Sequence, residues 1–383
     1  MVTVSGNALI GPELKHVKDV RIQISDEGTI IDISKEVKPS DHELPSSYLL
    51  IPGFINAHTH VGDAFLKDQT YGLSLEESVG DKGVKNRKFE SSTLEEKNAS
   101  IKNSLEMLVQ NGYTTFLDFR EEGLEGINLL KSELTNYPIR GLILGRSSRE
   151  EQITSIMRKS DGFGFVDVFS INQEMMNEVE KIKEKGPEKL VAIHVAESMD
   201  MVSKSTSAFG KSEIDLICDY SSFDYVVHAN YANETDLSLL KKNEVNVVCC
   251  PISNSYYGLK FPPIDSILKK EILLGLGTDN VLSCNPDPFR LMSMTLYAAR
   301  SNNQNLKAKE ILKAVTVNPG YISKRKIGQL EIGYSGDMLG INLDNPNIKF
   351  SKDVYTALTM RADHSDIGFQ MYKGKVVKWK DLR

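Results

Sequence analysis

The chain has 383 residues, enough for a large core and more than one structural unit. Its 46 basic and 52 acidic residues leave a formal net charge of −6, which argues against a nucleic-acid partner, since that would show as a basic excess or stripe. Met1–Lys15 has no basic segment followed by an apolar one, and no apolar run approaches the roughly 20 residues of a membrane span, so a cytoplasmic protein without a membrane partner is expected.

In chain order, residues 1–48 hold short alternating runs such as Val20–Ile24 and Thr29–Ile33, which predict antiparallel strands. Eight apolar runs follow: Leu49–His58, Tyr113–Phe119, Ile139–Gly145, Phe165–Ser170, Leu190–Ala196, Tyr225–Ala229, Val245–Cys250 and Ile272–Thr278. Apolar on both faces, they read as parallel strands buried on both sides. Helices are expected between them. Thr93-Leu-Glu-Glu96 is a capping box before Leu94–Gln110, with Gly112 as its stop, and Asn172–Lys185, Glu234–Lys242 and Ile264–Lys270 are helically patterned. Asp287–Arg300 and Lys307–Val317 follow the eighth strand. Eight strands with crossover helices predict an α/β (β/α)8 barrel of the TIM kind over 53–329. Val354–Thr359, Gly368–Tyr372 and Lys375–Lys378 again read as antiparallel strands. Residues 1–52 and 330–383 are therefore expected to form one small β-sandwich domain. The four cysteines, Cys218, Cys249, Cys250 and Cys284, have no CxxC spacing and are expected as free thiols.

The chain has seven histidines, and four fall at predicted strand ends. His58 and His60 close strand one, two residues apart and so on one side. His194 ends strand five and His228 strand six, and Asp279 follows strand eight. In a parallel barrel those strand ends converge on one face, where catalytic groups gather. Imidazole nitrogen with carboxylate oxygen suits Zn²⁺ or Fe²⁺. His16, His42 and His364 stand apart from the pattern and read as structural.

Pro52-Gly-Phe-Ile-Asn-Ala-His-Thr-His60, His194-Val-Ala-Glu197, Val227-His-Ala229, Pro251-Ile-Ser-Asn254 and Gly277-Thr-Asp279 together resemble the amidohydrolase superfamily. Within it the chain is similar to the branch of cytosine, guanine and adenosine-type deaminases and triazine chlorohydrolases, over nearly its whole length. The resemblance implies one divalent ion, zinc or iron, on His58, His60, His194 and Asp279. It implies His228 at the reacting centre, Glu197 as proton shuttle and Asp279 as the group that takes the proton of the attacking water. Superfamily members with two metals bridge them by a lysine at the end of strand four, and Phe165–Ser170 contains none. Nucleoside-type relatives carry a His-x-Pro-Tyr-like stretch there, where this chain has Ser170-Ile-Asn-Gln-Glu174. This points to the same reaction on another substrate.

Further residues follow strand ends and are candidates for substrate contact. Asp63 and Lys67 come after the HxH motif and are read as pocket-lining or as each other's partner. Arg120, Arg146 and Arg149 follow strands two and three, where they would clamp an anion or stand solvated. Ser253 and Asn254 follow strand seven, to meet substrate or shape a turn. The leading expectation is a deaminase acting on a small amino-substituted heterocycle. The alternatives are hydrolysis of a cyclic amide, as in imidazolonepropionase-like relatives, and a catalytically silent binding protein on the same scaffold. A homodimer is left open.

Overall fold

Nine parallel strand segments form the central sheet: β1 (Phe54–His60), β2 (Tyr113–Arg120), β3 (Arg140–Gly145), β4 (Gly162–Phe165), β5 (Leu190–Val195), β6 (Tyr225–His228), β7 (Asn246–Cys249), β8 (Leu274–Leu276) and β9 (Asp279–Asn280). The computed structural model describes residues 1–35, 38–146 and 152–379; Arg149 lies outside them. Each strand from β1 to β8 pairs with the next, and β9 pairs with β1. Only Gly277 and Thr278 separate β8 from β9, so one stretch of chain carries both ends of the strand order. This is a curled, TIM-like parallel sheet. Alternate residues explain why the runs look apolar throughout. Ile55, Leu117, Leu142, Ala192, Val227 and Val248 fill one face, while Phe54, Phe116, Ile143, Ile193, Val226 and Val247 pack outward.

The crossover helices follow their end signals. Thr93 and Glu96 form the reciprocal cap of Leu94–Gln110, and Gly112 takes a left-handed φ of 86° just past its end. Asn172 caps Gln173–Lys185, and Asp287 caps Pro288–Ser301. A second, eight-stranded sheet joins both termini, with Tyr48–Pro52 between Val2–Ile10 and Met338–Asn342.

Three elements differ from expectation. The run Leu49–His58 is divided at Gly53: Tyr48–Pro52 pairs with Met338–Asn342 in the terminal sheet, and Phe54–His60 is the barrel strand. Strand four is the earlier Gly162–Phe165, because Asp167 caps a 3₁₀ turn over Val168–Ser170 and ends the extended chain. Val354–Met360 is a helix. Asp353 accepts the Thr356 N–H at 2.8 Å, and Ala357 and Leu358 are buried against the helices Pro288–Ser301 and Ala308–Ala314, which outweighs the β-branched composition. No helix among the described residues is long and apolar enough to cross a membrane.

Candidate metal centre and active site

The C-terminal ends of the strands bring the four sequence-predicted histidines and both carboxylates together. His58 and His60 sit two apart on β1, and both are buried. His58 Nε2 lies 3.3 Å from His194 Nε2 and 3.4 Å from Asp279 Oδ1, and His60 Nε2 lies 3.5 Å from the same oxygen. One donor nitrogen from each of His58, His60 and His194 falls within 4.8 Å of the others. Donor atoms of Glu197, His228 and Asp279 form a second such group, so Asp279 borders both.

Burial depresses all three imidazoles of the first group. His58 is lowered by desolvation against the pull of Asp279. His60 is brought down to about 3 by desolvation and then by Lys85, and His194 falls well below its usual range by desolvation and neighbouring imidazoles. They are therefore neutral near pH 7, with ring lone pairs available. Two neutral Nε2 atoms facing each other across 3.3 Å beside a carboxylate form a donor set that suits a divalent cation. The Nδ1 sides fix ring orientation: His60 Nδ1 meets Glu121 Oε1 at 2.7 Å and the Phe119 carbonyl at 3.1 Å, and His194 Nδ1 meets the Val166 carbonyl at 3.1 Å.

Asp279 does not cap a helix. It starts β9 with φ of 62°, and this left-handed backbone turns the carboxylate toward the histidines. Its bend is clamped from β1: Asn56 accepts the Thr278 N–H at 3.1 Å and donates to Thr278 Oγ1 at 2.7 Å, while Thr59 Oγ1 donates to the Asp279 carbonyl at 3.0 Å. Gly277 passes so close that a Cβ would stand 2.6 Å from the His58 carbonyl oxygen. Burial opposes charge on Asp279, yet His58, His228 and His60 hold its carboxyl well below the usual range. His228 also has a left-handed φ, 74°, and its Nε2 lies 3.4 Å from Glu197 Oε1. Glu197 is no helix cap, since Ser198 caps Met199–Phe209. Its carboxyl is raised by burial, with His228 opposing.

Ser253 and Asn254 neither line the cavity nor merely shape a turn. On the helix Pro251–Tyr256, Ser253 Oγ donates to Asp279 Oδ2 at 2.6 Å, and Asn254 Oδ1 meets His228 Nδ1 at 3.2 Å. Asn254 is itself held by Asn230 at 2.7 Å.

The Asp63–Lys67 pair does not form. Asp63 is fully buried, accepting from Asn280 Nδ2 at 2.8 Å and the Leu282 N–H at 3.0 Å, with Lys85 at 3.2 Å. Lys67 is exposed and bonds Asn103 at 2.6 Å, because it follows the 3₁₀ turn Val61–Leu66 on the side facing Leu94–Gln110. Arg120 is not at the mouth but buried under Gly62, where a Cβ would stand 2.1 Å from its guanidinium. It bonds Glu121 Oε2 at 2.8 Å. Arg146 does line the cavity, 3.7 Å from Glu121 Oε1.

Two residues at the centre of this network were missed by the sequence reading. Glu121 meets His60, Arg120, Arg146 and Lys85, the last at 2.6 Å; burial opposes its charge, but Lys85, His60 and Arg120 hold it well below its usual range. Lys85 comes from Val84–Ser91 in the long segment after β1. An acid directly after a barrel strand was the available signal for Glu121. Nothing in spacing marked Lys85.

Above the histidines lies a cavity of about 590 Å³, lined among others by His60, His194, Glu197, His228, Asp279 and Arg146. Residues 49–377 match the model of the amidohydrolase family. The chain belongs to the amidohydrolase family. As an amidohydrolase it is a hydrolase acting on carbon–nitrogen bonds. It is 31% identical to a protein of Methanothermobacter thermautotrophicus that carries an aminohydrolase name, with 99% of each chain covered. It is 26% identical to the 5-methylthioadenosine/S-adenosylhomocysteine deaminase of Pyrococcus furiosus, covering 98% of this chain and 94% of that one. Among solved structures, a zinc-bound adenosine deaminase of Xanthomonas campestris superposes with a TM-score of 0.88 at 18% identity, covering 100% of this amidohydrolase and 94% of that chain. The zinc complex of the atrazine chlorohydrolase of Arthrobacter aurescens gives 0.85 at 16%, covering 100% and 97%. At such identities the likeness is one of fold.

Proposed function

We propose that this amidohydrolase is a single-metal aminohydrolase that releases ammonia from an amino-substituted heterocycle of purine, pyrimidine, pterin or triazine type. The observation that carries the reading is the meeting of Glu197, His228 and Asp279 beside three imidazole nitrogens at the floor of one cavity. His58, His60, His194 and Asp279 would hold one divalent ion, zinc in the first instance and iron as the other candidate. When bound, the ion supplies Lewis acidity and makes a water acidic enough to lose a proton near neutral pH.

The chain's own groups supply the rest. Asp279, its carboxyl held well below the usual range and aimed by Ser253, accepts the proton of the attacking water. Glu197, whose carboxyl burial raises, holds a proton more readily than an exposed glutamate and delivers it to the departing nitrogen. His228, fixed through Nδ1 by Asn254, turns Nε2 toward the reacting centre and stabilises charge there. We read the terminal segments, 1–52 and 330–383, as a β-sandwich unit beside the catalytic unit 53–329, from which all the groups named here come. The reading calls for a small-molecule substrate and a cytoplasmic setting.

Ammonia release by zinc-loaded protein across aminopurines, aminopyrimidines, pterins and triazines tests it. Release from at least one class is expected. Products that gain water without losing nitrogen would place the chain among cyclic amide hydrolases instead. Zinc-loaded protein silent on amines and cyclic amides alike would favour a binding protein.

A further inference from the structure

The cavity carries a buried carboxyl group that the reaction above does not use. Glu213 opens the short helix Glu213–Ile217 and lies in the cavity wall with 2% of its surface exposed. Its Oε2 accepts the Ala196 N–H at 2.9 Å, and among the described residues Oε1 has no protein partner. The other buried carboxylates nearby are provided for. Asp63 and Glu121 share Lys85, Asp118 faces Arg120, Asp279 faces His58 and His60, and Asp236 accepts from Ser212 and Asn233. Glu213 meets no cation among the described residues, and its charged neighbours Asp167, Glu197 and Asp236 are all acidic.

Holding a carboxyl group in such a place is costly unless something supplies donors to it. At a cavity wall beside a proton shuttle, the natural supplier is the ligand. The cavity's charge agrees. Lys85 and Arg146, two of its cations, already face Glu121, which leaves Lys204 on the helix Met199–Phe209 against several acids. A ligand rich in N–H donors suits this wall better than one bearing a carboxylate or phosphate.

We infer that Glu213 is a substrate-binding residue that accepts a hydrogen bond from a second amino or ring N–H group of the heterocycle, beside the nitrogen served by Glu197, so that diamino or amidine-edged rings are the preferred substrates. The inference rests on the aminohydrolase reading. The chain brings the two residues to one cavity wall: Glu213 takes the amide of Ala196, which directly precedes Glu197 and has φ of 49°, and the Glu197 charge acts on the Glu213 carboxyl. Burial pushes the Glu213 carboxyl up to about 7, so its neutral form can also donate to an unprotonated ring nitrogen and complete a two-point contact. A purely structural role in anchoring Ala196 needs one acceptor only, which glutamine would retain.

The test uses two ligand pairs, 2,6-diaminopurine against adenine and 2,4-diaminopyrimidine against 4-aminopyrimidine. Zinc-loaded wild type and Glu213→Gln are titrated with each by calorimetry, with ammonia release followed in parallel. Wild type is expected to favour the diamino member of at least one pair by about tenfold in Kd, and Glu213→Gln to reduce that ratio to within about threefold. Both members are measured on one preparation, so the ratio does not depend on the fraction folded. An equal ratio in the two proteins, no preference in wild type, or no binding of either pair would overturn the inference. Diamino preference lost in Glu213→Gln without any ammonia release would leave the role of Glu213 standing and count against the aminohydrolase reading instead.

Discussion

Replacing Glu121 with glutamine takes one negative charge from a buried network that holds His60, Lys85, Arg120 and Arg146. Two effects follow. The first is on the metal. Glu121 Oε1 receives His60 Nδ1 at 2.7 Å, fixing the ring so that Nε2 faces His194 and Asp279, and losing such an outer partner lowers metal affinity by about 10–100-fold. The second is on the fold. Removing one partner of a buried ion pair costs about 3–5 kcal/mol, and the lower end applies because Lys85 keeps Asp63 at 3.2 Å and Arg120 keeps Asp118 at 3.8 Å. The pH dependence has a definite sign. Burial raises the Glu121 carboxyl, but Lys85, His60 and Arg120 outweigh it and hold it well below its ordinary 4.5. The stabilisation is therefore complete above pH 4.5 and is lost as pH falls toward the folded-state value. The gap between wild type and Glu121→Gln is expected to be widest near neutral pH and to narrow in acid. Chelator competition for zinc and urea unfolding of the metal-free protein read the two effects separately. A glutamine variant with wild-type zinc affinity and an unchanged urea midpoint would refute the role given to this network.

Glu197→Gln should lower kcat by about 10²–10⁴-fold while zinc content stays at the wild-type level; a fall of less than about tenfold would remove Glu197 as the proton shuttle. His58→Ala and Asp279→Ala should each abolish turnover, and substantial activity in either would remove the metal-site assignment. Gly62→Ala should destabilise the chain by about 1–3 kcal/mol in urea unfolding, because the added methyl would stand 2.1 Å from the Arg120 guanidinium; wild-type stability would show that Arg120 yields freely. Burial pushes the Asp118 carboxyl up from 3.8 to about 7 against the opposing pull of Arg120. Its folded-state value thus lies above the unfolded one, so its contribution is complete below 3.8 and lost as pH rises through about 7. Asp118→Asn should flatten that part of the pH–stability curve, and an unchanged slope would contradict the shift.

What the sequence made legible follows from period and geometry. His58 and His60 could be placed together because alternate residues of a strand share a side, and His194, His228 and Asp279 because parallel strands end on one face. Ser253 and Asn254 were found as residues but not in their roles, since a contact to Asp279 or His228 is made through tertiary packing that spacing does not encode. Lys67 and Asp63 were misread for a related reason: four residues apart, they diverge because the 3₁₀ turn Val61–Leu66 buries one and exposes the other. Lys85 left no trace, as it sits on a short helix in a long segment without apolar period. Val354–Met360 carried a usable signal in Asp353, whose cap was hidden behind the β-branched run.

The central claim is that a divalent ion is held where β1, β5 and β9 converge. Anomalous diffraction at the zinc edge from zinc-loaded crystals locates it directly. One site is expected, with Nε2 of His58, His60 and His194 and a carboxylate oxygen of Asp279 at about 2.0–2.2 Å. Zinc bound away from these four side chains, or no anomalous peak among them, would contradict the account.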